Sequence, residues 1–204
     1  GYCKNDSALT YELFKCLVLD GFPFEELKLV DLTLRMFTEP VLEVGTYLLE
    51  VHLDELKAKK ATWLAQANVS REQIMSNPQF AELLKAQGVV PPMKVSLRTG
   101  KEAFAFAKTD EGLKELQSHA NPLVQILVAT RLGVKSTIDE TRTERLIAIG
   151  GRGKLPIPLK YYAAHTGRWG GDDKVNMQNL PRGSILKKAI CAPDGYKFID
   201  CDLS

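Results

Sequence analysis

The stretch Gly150-Gly-Arg-Gly-Lys154 divides the chain into two regimes of backbone freedom. Upstream of it, apolar residues recur at helical spacing over long windows. Downstream, Pro156 and Pro158 each remove a backbone donor and fix φ. Residues 155–164 therefore read as extended, and as a sheet edge if they lie in a sheet. The expectation is an α+β chain, mostly helical first and then entering the opening antiparallel strands of a sheet. At 204 residues there is room for one large or two small domains.

End signals divide the helical part. Residues 2–19 form a helix with Leu9, Leu13, Cys16 and Leu17 on one face, stopped by Asp20-Gly21-Phe22-Pro23. Residues 24–44 form a second helical stretch, bent near Pro40 and ended by Gly45. A third, over 47–67, pairs with it as an antiparallel hairpin and turns Lys57, Lys59 and Lys60 to solvent. Ser70-Arg-Glu-Gln73 is a capping box, and Asn77-Pro78 opens a helix to about Gln87. Alternation over 94–106 about Thr99-Gly100 predicts a β-hairpin or an extended loop with a tight turn. Thr109 caps a helix to about His119. Asn121-Pro122 opens a long one to about Ile149, broken near Gly133. Beyond the Gly-rich loop, residues 185–192 and 196–202 read as two strands about a Pro193-Asp194-Gly195 turn.

Composition excludes several classes. Hydrophobic content of 45% and charged content of 25% are ordinary for a soluble globular chain, and the longest apolar run is far short of a membrane span. The start, Gly1-Tyr2-Cys3-Lys4, is no signal peptide and has no Met, so it reads as a cut end. Cys3, Cys16, Cys191 and Cys201 form no Cys-x-x-Cys pair, which fits free thiols in a reducing cytosol and disfavours zinc. Net charge is +2 but uneven. Residues 1–130 hold 14 Lys/Arg against 17 Asp/Glu, a balance of −3, whereas 131–188 hold 12 against 5, a balance of +7. The basic part suits a polyanionic partner, or equally a solvated charged surface.

Three motifs follow one another near the C-terminus. The first is His165-Thr-Gly-Arg168-Trp-Gly-Gly, and the second is Asn176-Met-Gln178-Asn179-Leu-Pro-Arg182. The third is the apolar run Tyr196-Lys-Phe-Ile-Asp-Cys-Asp202-Leu203-Ser204. In this order and spacing they resemble the family A DNA polymerases, the phage branch of DNA polymerase I relatives. The resemblance implies template-directed nucleotidyl transfer from dNTPs to a primer 3′ end in the cytoplasm of a bacterial or phage-infected cell. It also implies a division of the chain. Residues 1–20 would be the last helix of a 3′–5′ exonuclease, 21–150 the thumb, and 151–204 the start of the palm.

By this resemblance Asp202 and the backbone carbonyl of Leu203 bind magnesium, in a two-metal site that clamps the transferring phosphoryl group. Asp200 shares the face of Asp202 by strand alternation, but the family pattern assigns it no role. DNA contacts fall to Lys135, Ser136 and Thr137, to Thr166 and Arg168, and to Asn176, Gln178, Asn179 and Arg182. An Arg at such a place can donate to minor-groove acceptors that all base pairs share. Each also has a plainer reading: Ser136 and Thr137 as a helix break with an N-cap, Asn176 as a turn former. Thr99-Gly100-Lys101 resembles the thumb loop that grips duplex, and a plain turn explains it as well. Tyr2 and Asp6, four apart on one helix face, match an exonuclease pair in which Tyr orients water and Asp holds metal.

The family's fingers helix and second palm aspartate find no counterpart in this sequence, so the chain alone is expected to be inactive. Two other readings stay open: a non-enzymatic duplex-binding thumb–palm module, and the N-terminal piece of a split polymerase gene.

Overall fold

The computed structural model describes residues 2–19, 21–96, 100–173 and 176–199. In chain order the elements begin with α1 (Tyr2–Leu19), α2 (Phe24–Thr38), β1 (Glu43–Val44) and α3 (Thr46–Ala67). Then come α4 (Arg71–Met75), α5 (Asn77–Ala86), β2 (Met93–Val95), β3 (Glu102–Phe104) and α6 (Glu111–Gln117). Next are α7 (Pro122–Lys135), α8 (Ile138–Gly150), β4 (Leu159–Lys160), β5 (Gly170–Gly171), α9 (Ile185–Lys188) and β6 (Ile190–Cys191). The strands form three two-stranded antiparallel pairs: β1 with β6, β2 with β3, and β4 with β5. The class is α+β, as expected, with helix predominating. No helix among the described residues is long and apolar enough to cross a membrane.

The chain forms two compact units, Tyr47–Arg145 and the combination of Gly1–Thr46 with Leu146–Ser204. The first has a closed core. Ile74, Phe80, Leu84, Leu113, Val124 and Val128 have no solvent exposure. Local signals build its outline. Ser70 accepts from the Gln73 N–H at 3.3 Å while Gln73 Oε1 accepts from the Ser70 N–H at 2.8 Å, which completes the capping box. Pro78 stands in the first turn of α5, and Ser76 caps it. The β2–β3 pair appears where alternation predicted it. Helix α6 starts one residue later than expected. Its N-cap is Asp110, whose carboxylate accepts from Lys94 Nζ at 2.6 and 2.8 Å and from the Ala107 N–H at 2.8 Å. Those bonds hold the acid below the usual carboxylate range, the Lys94 bond most of all.

The long helix expected over 121–149 breaks at Ser136–Thr137, as the helix-break reading of those two residues had it, three residues beyond Gly133. Gly133 is helical and serves packing. A Cβ there would lie 2.3 Å from Trp63 Cζ3, so glycine is what lets the indole lie against α7. Helix propensity favours Gly133→Ala by about 1 kcal/mol, but overpacking costs about 1–3 kcal/mol. The expected balance is a loss of about 1 kcal/mol with red-shifted Trp63 emission. A stabilised variant would refute the packing role.

Lys60 departs from the solvated face proposed for Lys57, Lys59 and Lys60. Lys57 and Lys59 are exposed, but Lys60 Nζ pairs with Glu140 at 2.6 Å and donates to the Ser136 carbonyl at 2.7 Å and the Val134 carbonyl at 3.3 Å. A single ammonium thereby satisfies two of the carbonyls left open where α7 ends and ties them to Glu140 in the first turn of α8. The cation comes from a residue more than seventy positions upstream in the chain.

Helix α2 ends at Thr38, because the residue before Pro40 is driven from helical dihedrals; Glu39 sits at φ −126°, ψ 58°. Residues 43–44 are strand, paired with 190–191, and Leu42 bridges Leu155. A strand rather than a tight turn thus separates α2 from α3. The strand expected over 185–192 is instead α9 followed by β6. The Ser184 hydroxyl caps α9 by accepting from the Lys187 N–H at 3.3 Å. Strand β6 therefore pairs with β1, not with 196–199, which carry no strand; residues 200–202 lie outside the described residues. Helix α1 has its expected bounds, but Leu9 and Leu13 are each 61% exposed and Leu17 is 54% exposed.

Candidate functional site

The Thr-Gly-Arg motif occupies the turn of a small hairpin. Strands β4 and β5 pair Leu159 with Gly171 and Lys160 with Gly170, and the Asp172 N–H extends the ladder to Pro158 O at 2.9 Å. Within the loop, the Gly167 N–H donates to Ala164 O at 2.9 Å and the Ala164 N–H to Arg168 O at 3.2 Å. Gly167 has φ +78°, the left-handed region that glycine enters without a steric penalty. The tightness of this turn leaves Thr166 and Arg168 exposed at its end.

The Asn-x-Gln-Asn-x-Pro motif packs beside it. Asn176 Oδ1 accepts from the Gln178 N–H at 3.0 Å and so caps a single 3₁₀ turn over Met177–Asn179. The turn-forming reading of Asn176 therefore holds at the level of local structure. Gln178 Nε2 donates to Trp169 O at 3.1 Å. A Cβ on Gly171 would lie 2.3 Å from Asn176 Cγ, so the two motifs meet through a glycine and an amide. Gln178, Asn179 and Arg182 are exposed in this unit, as are Lys187 and Lys188.

The hairpin is mounted on α2. The Ile157 N–H donates to Met36 O at 3.0 Å. Trp169 Nε1 donates to Thr33 Oγ1 at 2.8 Å, and the hydroxyl of this residue, which is 6% exposed as a whole, in turn donates to Leu29 O at 2.6 Å. Tyr161 donates to the Glu26 carboxylate, which pushes its phenol up to about 12. Tyr161 and Trp169 meet edge to face, with centroids 5.7 Å apart at 78°. Sequence reasoning named neither aromatic as functional. Trp169 lies inside the quoted motif, but nothing local points to Thr33, 136 residues away.

The remaining candidates lie on other elements. Lys135 ends α7 in the other unit, with Ser136 and Thr137 in the break before α8. Lys135 and Ser136 are exposed and Thr137 is half-buried. Packing around the Lys135 ammonium, and then the charge of Arg131, lower its pKa from the ordinary value. Tyr2, 86% exposed, and Asp6 stand one turn apart on α1. Among the described residues, no three His, Cys, Asp or Glu side chains gather as a metal site. Asp202 and Leu203 lie outside the described residues, as does Thr99 of the Thr99-Gly100-Lys101 turn. Cys3, Cys16 and Cys191 are free thiols. Comparison with known protein families and with curated proteins found no match.

Proposed function

We propose that this chain is part of a DNA-directed DNA polymerase of family A, supplying duplex grip and one metal-binding aspartate. The partners are primer–template DNA and, in the complete enzyme, dNTPs and magnesium. Asp202 and the Leu203 carbonyl are proposed to hold magnesium, and Tyr2 with Asp6 to belong to the exonuclease. One observation carries the reading beyond motif order. The two motifs separated along the chain, Thr166-Gly-Arg168 and Asn176 through Pro181, join through the Gln178–Trp169 bond, with Arg168, Gln178, Asn179 and Arg182 exposed. Exposed cations and amides on adjoining turns can contact phosphate, sugar and shared base-edge acceptors without reading sequence.

The test is the salt dependence of duplex binding. If about 4–6 phosphates are neutralised, log K against log salt has a slope of about −4 to −5. The Lys135→Ala/Arg182→Ala variant should make that slope shallower by about 2. A flat salt dependence, or unaltered binding by the double variant, refutes the proposal.

A further inference from the structure

Arg168 is exposed on a turn closed by only two backbone hydrogen bonds, and its usefulness to a bound duplex depends on where that turn is held. The ladder beneath it is two residue pairs long, too short to fix a hairpin by itself. The position of the turn must therefore come from its mount. Two side chains at opposite ends of the loop reach α2. Tyr161 follows β4 directly and bonds Glu26 in the first turn of the helix; Trp169 precedes β5 directly and bonds Thr33 two turns on. The rings also touch each other, closing the base of the loop. Thr33 is unusual in being a buried hydroxyl on an otherwise half-exposed helix, and both its donor and its acceptor capacity are used.

We infer that Trp169 and Tyr161, through Thr33 and Glu26, are positioning residues that hold the Thr166-Gly167-Arg168 turn in register for duplex contact. The inference rests on the proposed DNA-binding reading, and it adds residues that the motif resemblance does not assign. Trp169 works through its indole N–H rather than only through its area. Removing that one bond takes away the side-chain tie from the β5 end of the loop to α2, while the Trp169 carbonyl keeps its bond from Gln178.

Three full-length variants test this. Trp169→Phe keeps an aromatic ring and loses the donor. Thr33→Val keeps the shape and loses the acceptor. Thr33→Ser keeps the acceptor and is the rescue. Trp169→Phe and Thr33→Val should each weaken duplex binding by about threefold to tenfold, the worth of one hydrogen bond. Thr33→Ser should bind like the parent. In an Arg168→Ala background neither loss should add further, because both act through Arg168. A merely structural role would give additive losses, and additivity overturns the inference, as does parental affinity in Thr33→Val. Hydrogen exchange over 162–170 separates this result from failure of the DNA reading. Absence of duplex binding by the parent chain would strike the proposed function, and exchange would then decide the anchor. Faster exchange at 162–170 in Thr33→Val, with 47–145 unchanged, upholds it, and unchanged exchange overturns it.

Discussion

Arg131→Ala should destabilise the Tyr47–Arg145 unit by about 3–5 kcal/mol, among the largest effects of any single change in the chain. Arg131 has no solvent exposure, yet no carboxylate pairs with it among the described residues. Its guanidinium lies 4.4 Å from the Phe80 ring centroid and 5.0 Å from that of Phe106, donating to the Ile74 carbonyl and to Asn77 Oδ1. Nε is buried without a partner. Truncation would open a cavity under α5 and orphan the two acceptors together. Burial lowers its pKa to about 10, so it stays charged at neutral pH.

The folded value lies below the ordinary one, so the unfolded chain holds this proton more tightly. Stability from this group is flat across neutral pH and rises only as pH climbs past about 10. A buried cation that lacks a carboxylate carries a desolvation cost, so Arg131→Met should lose less than half of what Ala loses. Each unit contains one of the two tryptophans, Trp63 and Trp169. Urea unfolding followed by Trp63 emission in a Trp169→Phe background isolates the relevant unit. Equal losses for Ala and Met would refute the cost assigned to the charge.

The second large effect belongs to the proposed function. In a complete polymerase carrying this segment, Asp202→Asn should lower primer extension by at least about 100- to 1000-fold. The amide keeps the shape and one oxygen but loses the charge proposed to hold magnesium beside the triphosphate. Duplex affinity should stay within about twofold, because grip is assigned to Lys135, Arg168 and their neighbours. A non-enzymatic duplex-binding module would be indifferent to residue 202 in every assay. Near-normal extension by the Asn enzyme, or a matching loss of DNA affinity, would refute the role given to Asp202.

Which parts of this protein were legible in one dimension follows from the range of the interactions. Bounds of α1 and α5, the Ser70 capping box and the β2–β3 pair depend on residues within a few positions of one another, so caps, prolines and periodicity disclosed them. The turn-forming role of Asn176 was readable for the same reason. Where sequence reasoning failed, a distant partner had decided. Residues 43–44 are strand because 190–191 pair with them, Gly133 is glycine because Trp63 lies on it, and Lys60 is tied because α7 ends beside it. Residues 185–188 are the exception, since their local cap at Ser184 was there to be read. Motif order alone named Arg168, Gln178 and Arg182. Only the tertiary structure joined the two motifs and mounted them on Thr33 and Glu26, because a hydrogen bond between residues 136 apart leaves no periodicity in either segment.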